Sequence, residues 1–203
     1  MSTATSRLTA RLNRMRYLQR WPLMRKTETE NVAEHVYESN TIALTLALIE
    51  KHVFANNDID PYHCLAICQV HESEEPLLSG DLNTIAKNAT PGMKAAYEEI
   101  KSAVQEKIVS DIPDELQAAF DAIIRPTPSL ESEFVKCADI IQAYIKTKQE
   151  VRNGNGDEFM DAESRLGHKL KTLENQYKAV KYFNKTFLPS HFVSVDKLLI
   201  NEV

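Results

Sequence analysis

Residues 129–156 read SLESEFVKCADIIQAYIKTKQEVRNGNG, and this stretch decides the fold class. Ser129 is a typical helix N-cap and the NGNG segment is a typical helix stop, so we predict one helix from 129 to about 152. The rest of the chain has the same character, because 203 residues contain only 5 glycines and few alternating Val/Ile/Thr runs. We therefore predict an all-α protein, a single-domain bundle of seven to eight helices over residues 1–203.

The other helices are predicted from their caps and breakers. They cover residues 5–19, 31 to about 54, 61 to about 75, a short loop-helix that starts at 79–81, 90 to about 109, 113 to just before Pro126, and 157–186. Asn31 and Glu34 have the spacing of a capping box. The residue before a proline avoids helical backbone, so Trp21-Pro22 should stop the first helix after residue 19, and the segment RWPLMR (20–25) should form an irregular turn.

Composition excludes several classes of function. The net charge of −5 and the pI of about 5.7 argue against binding to nucleic-acid polymers or anionic membranes. No apolar run approaches the roughly 18 residues of a membrane span, and the first 20 residues lack the apolar core of a secretory signal. The three cysteines (Cys64, Cys68 and Cys137) lack zinc-ribbon spacing and are predicted to be buried apolar side chains. We therefore expect a cytoplasmic protein.

The segment QVHESEEPLLSGD (69–81) concentrates acidic groups around a histidine. Its carboxylates, among them Glu72, Glu75 and Asp81, would repel one another beside His71 unless a cation joined them. Glu75 follows His71 by four residues, so a continuous helix would place both on one face. The simpler alternative is a solvated acidic surface.

Two further helices each offer a metal ligand. His35 lies in the first turn of the second helix, and Asp139 interrupts an apolar face in FVKCADIIQAY. With His71 and Glu72 these residues would form a mixed nitrogen and oxygen shell, which suits Mn, Fe, Co, Ni or Zn better than Ca. Such a metal lowers the pKa of bound water. The alternatives are that the histidines are ordinary core or surface residues and that Asp139 pairs with a lysine or arginine.

Three segments in the same order resemble the HD-domain phosphohydrolases. They are RWPLMR…TENVAEH (20–35), H-E…E…GDLNT (71–84) and VKCADIIQAYIK (135–146). Among these enzymes, the chain is most similar to the bacterial 5′-deoxynucleotidases, which remove phosphate from deoxyribonucleoside 5′-monophosphates. The resemblance extends over roughly residues 7 to 190. It implies an HD-type helical domain, one divalent transition metal, a small deoxynucleotide substrate and a homodimer.

The resemblance also implies which residues form the metal site. The metal ligands of the family correspond to His35, His71, Glu72 and Asp139. Its catalytic glutamate, which positions the attacking water, corresponds to Glu75, with Glu74 as the second choice.

Substrate-binding roles are implied for two more segments. Arg20 would contact the phosphate, and Trp21 would stack on the sugar and exclude a ribose 2′-hydroxyl. The substrate loop corresponds to Gly80–Thr84, so that Asp81, Leu82, Asn83 and Thr84 would contact the substrate. Asp81 would in addition protonate the departing 5′-oxygen.

Two departures from the family pattern leave alternatives open. Glu72 stands where the family has aspartate, and the stretch from His71 to Asp81 is one residue longer. A weakened nucleotide-binding module is therefore one alternative. A deoxynucleoside triphosphohydrolase, like some phage relatives, is another, and it would need further cations such as Arg25, Lys26 and Lys87. A purely structural helical protein is the third.

Overall fold

The structure, a computed structural model, describes residues 5–78, 80 and 84–199, apart from the side chains of residues 84 and 86. The α-helices are α1 (Leu8–Leu12), α2 (Val32–His52), α3 (Pro61–Val70), α4 (Glu75–Leu78), α5 (Thr84–Lys87), α6 (Pro91–Ser110), α7 (Asp114–Ile124), α8 (Leu130–Arg152), α9 (Gly156–Gln176), α10 (Lys178–Thr186) and α11 (Val195–Leu199). Two 3₁₀ helices cover Asn13–Tyr17 and Leu188–Phe192. The predicted all-α class is confirmed, and seven of the described helices have nine residues or more. None of the helices among these residues combines the length and the apolar character that crossing a bilayer requires.

The main core is built around α8. This helix packs against α2, α3 and α9, and its Phe134 and Ile141 are completely buried. Leu46 of α2, Cys68 of α3 and Leu170 of α9 surround them in one apolar cluster. Burial of each large side chain contributes about 1.5–3 kcal/mol, which holds the helices that carry polar site residues in fixed positions.

Both predicted cap positions begin helices. Asn31 and Glu34 form a capping box with backbone-to-side-chain bonds of 3.0 and 2.9 Å. Ser129 caps α8 through the backbone N–H of Ser132. Because Asn31 fixes where α2 begins, it also fixes His35 one turn into that helix, facing the protein interior.

The predicted helix over 61–75 is wrong beyond Val70. The chain leaves the helix at His71 and makes a turn through residues 71–74 before the short α4. The turn carries Glu74 and Glu75 inward, where both are buried and each forms an ion pair with a lysine. These tertiary contacts outweigh the helical propensity of the glutamate-rich run.

The predicted helix over 157–186 is two helices. Tyr177 between α9 and α10 has extended backbone angles (φ −126°, ψ 116°). Its ring packs edge-on against Phe134 and its hydroxyl donates to Glu133 at 3.4 Å. The break allows α10 to pack against α2 as well as α9, which a straight helix would not allow. The predicted first helix (5–19) is likewise shorter: α1 tightens into the 3₁₀ turn at 13–17.

The segment between the first helices and α2 forms the predicted irregular turn. Its two ends pair as an isolated antiparallel bridge between Gln19 and Asn31. Inside this bridge, the Arg20 N–H donates to the Glu30 carbonyl at 2.9 Å. We call residues 20–30 the entry loop.

Glu150, at the end of α8, anchors the entry loop from inside the protein. Its carboxylate accepts bonds from the Thr27 N–H and hydroxyl (both 2.8 Å), from Lys146 (2.7 Å) and from Asn155 (2.9 Å). Only 1% of Glu150 is exposed. Burial alone would raise the pKa of this carboxyl, but Lys146, Asn155 and Thr27 outweigh burial and lower the pKa to about 2.

Replacing this carboxylate should make the protein less stable in a pH-dependent way. A carboxyl group whose pKa is lowered by folding stabilises the protein at pH values above its unfolded-state pKa, which is near 4.5. That stabilisation is lost as the pH falls towards 2. We expect Glu150→Gln to lower the free energy of unfolding by about 3 kcal/mol at pH 7 and by clearly less at pH 3. Urea unfolding at both pH values measures the two differences, with the exposed Glu99→Gln as control. A difference that is the same at both pH values would contradict this role.

Candidate active site

Four ionisable side chains meet at one point of the bundle. They come from α2 (His35), from the turn after α3 (His71 and Glu72) and from α8 (Asp139), and one ligand atom of each lies within 4.8 Å of all the others. Nε2 of His35 is 3.2 Å from Oδ1 of Asp139, and Nε2 of His71 is 3.7 Å from Oε1 of Glu72. The structure thus brings together all four residues that the sequence analysis named as ligands.

Hydrogen bonds define the proton position on His35. Nδ1 of His35 is 2.8 Å from Oε1 of Gln142. The amide nitrogen of Gln142 faces the carboxylates of Glu30 and Glu38 at 3.0 and 2.9 Å, which fixes the orientation of the amide. Nδ1 must therefore donate to Gln142, so in the neutral ring it is Nε2 that carries the lone pair, 3.2 Å from the Asp139 carboxylate.

His71 has the same tautomer. Its Nδ1 lies 2.6 Å from the Cys68 carbonyl oxygen, which can only accept. Burial lowers the pKa of His71, so the ring is neutral at neutral pH. Within the described residues, neither His35 Nε2 nor His71 Nε2 has a hydrogen-bond partner, although both atoms are buried.

These lone pairs and carboxylates fit a divalent cation. The lone pairs of the two Nε2 atoms face the oxygens of the two carboxylates. These groups repel one another unless a positive ion lies between them. A set of two imidazoles and two carboxylates, with each Nδ1 bonded to an oxygen, is typical of transition-metal sites.

The turn that replaces the end of the predicted helix accommodates Glu72. Glutamate is one methylene longer than the aspartate that the family resemblance implies at this position. Because residues 71–74 are not helical, the Glu72 side chain approaches the cluster from a turn, and its Oε1 comes within 4.0 Å of His35 Nε2. The longer side chain therefore still reaches both imidazoles.

A cavity of about 400 Å³ opens beside this cluster. Glu72 and Asp139 form part of its wall, together with Arg20, Trp21 and Lys87. This volume lies in the range of small-molecule sites. The cavity therefore places the four-residue cluster beside a set of cationic and aromatic side chains.

Arg20 and Trp21 are held in the wall by one buried acid. Nε of Arg20 is 3.2 Å from Oε1 of Glu30, and Nε1 of Trp21 donates to Oε2 of the same residue at 3.1 Å. The indole also packs edge-on against Phe159 at 5.7 Å. Trp21 has left-handed backbone (φ 54°), a strained conformation for this residue. These contacts keep the indole in one place.

The two glutamates considered for water positioning are both buried. Glu75 lies 3.5 Å from Lys87, a residue of the cavity wall, whereas Glu74 pairs with Lys101. Burial raises the pKa of Glu74 despite that lysine. The expected shared helix face of His71 and Glu75 is wrong, because α3 ends before both. What favours Glu75 is instead its contact with Lys87.

The predicted substrate loop is only partly described. Asp81, Leu82 and Asn83 lie outside the described residues, and Thr84 begins α5 with its side chain outside the description. Ile85 and Lys87 of α5 are cavity residues from this region.

Sequence reasoning did not identify the residues behind the candidate ligands. Gln142 and Glu30 are both buried, at 1% and 5% exposure. The available signal was a polar residue three positions after Asp139 in an apolar helix. Such a residue needs a hydrogen-bond partner when buried.

Known proteins are similar in sequence to this one over most of its length. A family model described as 5′-deoxynucleotidase YfbR-like matches residues 7–191. A 5′-deoxynucleotidase of Pasteurella multocida is 36% identical over 191 residues, which are 93% of this chain and 95% of that protein. One of Vibrio parahaemolyticus is 37% identical over 191 residues, which are 93% of this chain and 96% of that protein.

Solved structures share the fold at lower identity. An HD-domain phosphohydrolase from Listeria innocua superposes with a TM-score of 0.77 at 22% identity, covering 92% of this chain and 89% of that one. An HD phosphohydrolase of cyanophage S-2L, bound to dA and one catalytic Zn²⁺ ion, superposes with a TM-score of 0.61 at 17% identity, covering 90% and 96%. The predicted HD-type fold is confirmed. With a family model and relatives above 30% identity that extend over more than nine-tenths of its length, the chain belongs to the YfbR-like 5′-deoxynucleotidase family.

Proposed function

We propose that this chain is a metal-dependent phosphohydrolase that releases phosphate from deoxyribonucleoside 5′-monophosphates. The observation that carries the proposal is the pair of imidazole lone pairs directed at two carboxylates in the wall of a cavity that also contains Arg20 and Trp21. Membership of a 5′-deoxynucleotidase family supports it.

His35, His71, Glu72 and Asp139 would hold one divalent ion, either Co, Mn, Zn, Ni or Fe. When bound, such an ion supplies Lewis acidity to the phosphoryl oxygens and lowers the pKa of a coordinated water. The Nδ1 bonds of the two histidines to Gln142 and to the Cys68 carbonyl hold the rings in the ligand orientation.

The main task of the remaining residues is to stabilise negative charge on the phosphate. Phosphoryl transfer places negative charge on the non-bridging oxygens, and fixed cations in a partly dry cavity stabilise that charge. Arg20 is the cation we assign to this role, and Lys87 brings a second positive charge into the same wall. We assign Glu75, next to Lys87, to hold the attacking water and accept its proton, and Asp81 to protonate the departing 5′-oxygen.

Selection against ribonucleotides would come from Trp21. Glu30 and Phe159 hold its indole rigidly, so it could not move aside for a 2′-hydroxyl. A ribonucleotide would therefore bind with its phosphate displaced from Arg20, and misplacement of this kind is costly in phosphoryl transfer.

The direct test uses protein purified without chelator. With Mn²⁺ or Co²⁺ we expect phosphate release from dAMP with a kcat/KM at least about tenfold above that for AMP, which corresponds to about 1.4 kcal/mol. EDTA should abolish turnover, and added metal should restore it. Product analysis with dATP distinguishes the triphosphohydrolase alternative, which would release triphosphate.

Two outcomes would contradict the proposal. Equal rates on dAMP and AMP would remove the role of Trp21. A metal-free protein with no turnover after metal addition would instead favour the nucleotide-binding module. The single domain over residues 1–203 and the homodimer stay predictions.

A further inference from the structure

We propose that Glu30 and Gln142 are positioning residues that link metal binding to substrate selection. The inference rests on the proposed function. A chain of buried hydrogen bonds through Gln142 and Glu30 joins the proposed metal ligand His35 to Trp21, and an ion pair of Glu30 extends this link to Arg20, so that the two halves of the site keep a fixed position relative to each other.

Glu30 is the junction of this chain. Oε1 of Glu30 accepts from the Gln142 amide at 3.0 Å and lies 3.2 Å from Arg20 Nε. Its Oε2 accepts from Trp21 Nε1 at 3.1 Å. One carboxylate thus contacts both substrate-reading side chains and the next member of the chain.

Gln142 connects the junction to the metal ligand. While its amide nitrogen donates to Glu30, its Oε1 accepts from His35 Nδ1 at 2.8 Å. An amide donates from one end and accepts at the other, so the orientation of Gln142 sets the tautomer of His35. Glu38 takes the other amide hydrogen at 2.9 Å, which prevents the amide from flipping.

The burial of these hydrogen-bonded side chains makes the link effective. Gln142 is 1% exposed, His35 is 0% exposed and Glu30 is 5% exposed, so water cannot replace a lost bond. In such surroundings hydrogen bonds are strong and unpaired groups are costly. The Glu30 charge, 3.7 Å from His35 Nδ1, also strengthens Nε2 as a ligand. A change at Glu30 should therefore affect both halves of the site at once.

The test compares Glu30→Gln and Gln142→Leu with Glu28→Gln, an exposed residue of the same loop. The first measurement is the Kd of the apoprotein for Co²⁺ by competition with a chromogenic chelator. The second is the ratio of kcat/KM for dAMP to that for AMP. Circular dichroism and Tm establish that each variant is folded.

Glu30→Gln should weaken Co²⁺ binding by about 10- to 100-fold, the usual loss for a group behind a ligand. It should also lower the dAMP/AMP ratio, because a neutral amide loses the ion pair with Arg20 and has only one oxygen to accept from Gln142 or Trp21. Gln142→Leu should weaken Co²⁺ binding to a similar degree while changing the ratio less. In the double variant, the loss of Co²⁺ affinity should equal about the larger single loss, since both changes interrupt the same chain.

The inference is overturned if Glu30→Gln changes the ratio but leaves the Co²⁺ Kd at the Glu28→Gln value, or if the single losses multiply in the double variant. Should Gln142→Leu not fold, Glu30→Gln provides both measurements by itself. If the unchanged protein binds Co²⁺ but does not hydrolyse dAMP, the proposed function fails, and the Kd values still decide whether Glu30 and Gln142 act on His35.

Discussion

Asp139→Ala should remove bound metal and lower kcat/KM for dAMP by on the order of 10³-fold or more, because loss of the ion removes more than a single oxyanion donor does. Its carboxylate is the proposed ligand that α8 contributes and lies 3.2 Å from His35 Nε2. Since 43% of the Asp139 side chain is exposed, the change leaves no cavity in the apolar core. We therefore expect a folded protein that has lost its chemistry.

The measurement combines metal analysis of the purified protein with phosphate release from dAMP. Asp157→Ala, an exposed acid at the start of α9, serves as the matched control and should retain both metal and activity. Wild-type metal content in Asp139→Ala would mean that this residue is not a ligand. Activity close to wild type would exclude the cluster as the reaction centre.

Arg20→Ala should lower kcat/KM for dAMP by on the order of 10²-fold while the metal stays bound. Arg20 is the charged residue of the entry loop that both lines the cavity and is fixed by a buried acid, so its guanidinium is oriented before the substrate arrives. Arg20→Lys keeps the charge but loses the planar fork, and it should fall between wild type and Arg20→Ala.

Arg25→Ala is the matched control for this variant, because Arg25 is an exposed arginine of the same loop. Its kcat/KM should stay within about threefold of wild type, as expected for an exposed charge. A wild-type kcat/KM for Arg20→Ala would assign the phosphate to another cation, for which Lys87 is the next choice. Loss of metal in Arg20→Ala would mean that its main role is structural.

The sequence predicted well those features that depend on local chemistry. Asn31 and Ser129 begin helices because their side chains accept from backbone N–H groups three residues ahead, a relation contained in a few neighbouring residues. The wrong boundaries, after Val70 and at Tyr177, are places where distant partners decide the backbone. The burial of Glu74 and Glu75 and the packing of Tyr177 on Phe134 are not visible in the local sequence.

The same division applies to the site. Ionisable residues in predicted helical segments are easy to recognise in the sequence, and the family resemblance assigns four of them to one site: His35, His71, Glu72 and Asp139. Glu30 and Gln142 are separated by 112 positions, and only packing of α8 against the entry loop makes them neighbours. Their importance follows from which atom donates to which, and that depends on the three-dimensional arrangement.

At Trp21, the left-handed backbone is unfavourable for folding, whereas the indole ring serves the proposed function. A tryptophan in left-handed conformation costs on the order of 1–2 kcal/mol relative to a glycine at the same place. Glu30 and Glu150 hold the surrounding loop firmly enough to offset this cost. Folding alone would favour a small residue at position 21, so the indole persists there only while its ring is useful. On the proposed role of Trp21, a lineage released from the need to distinguish two sugars should change this position among the first.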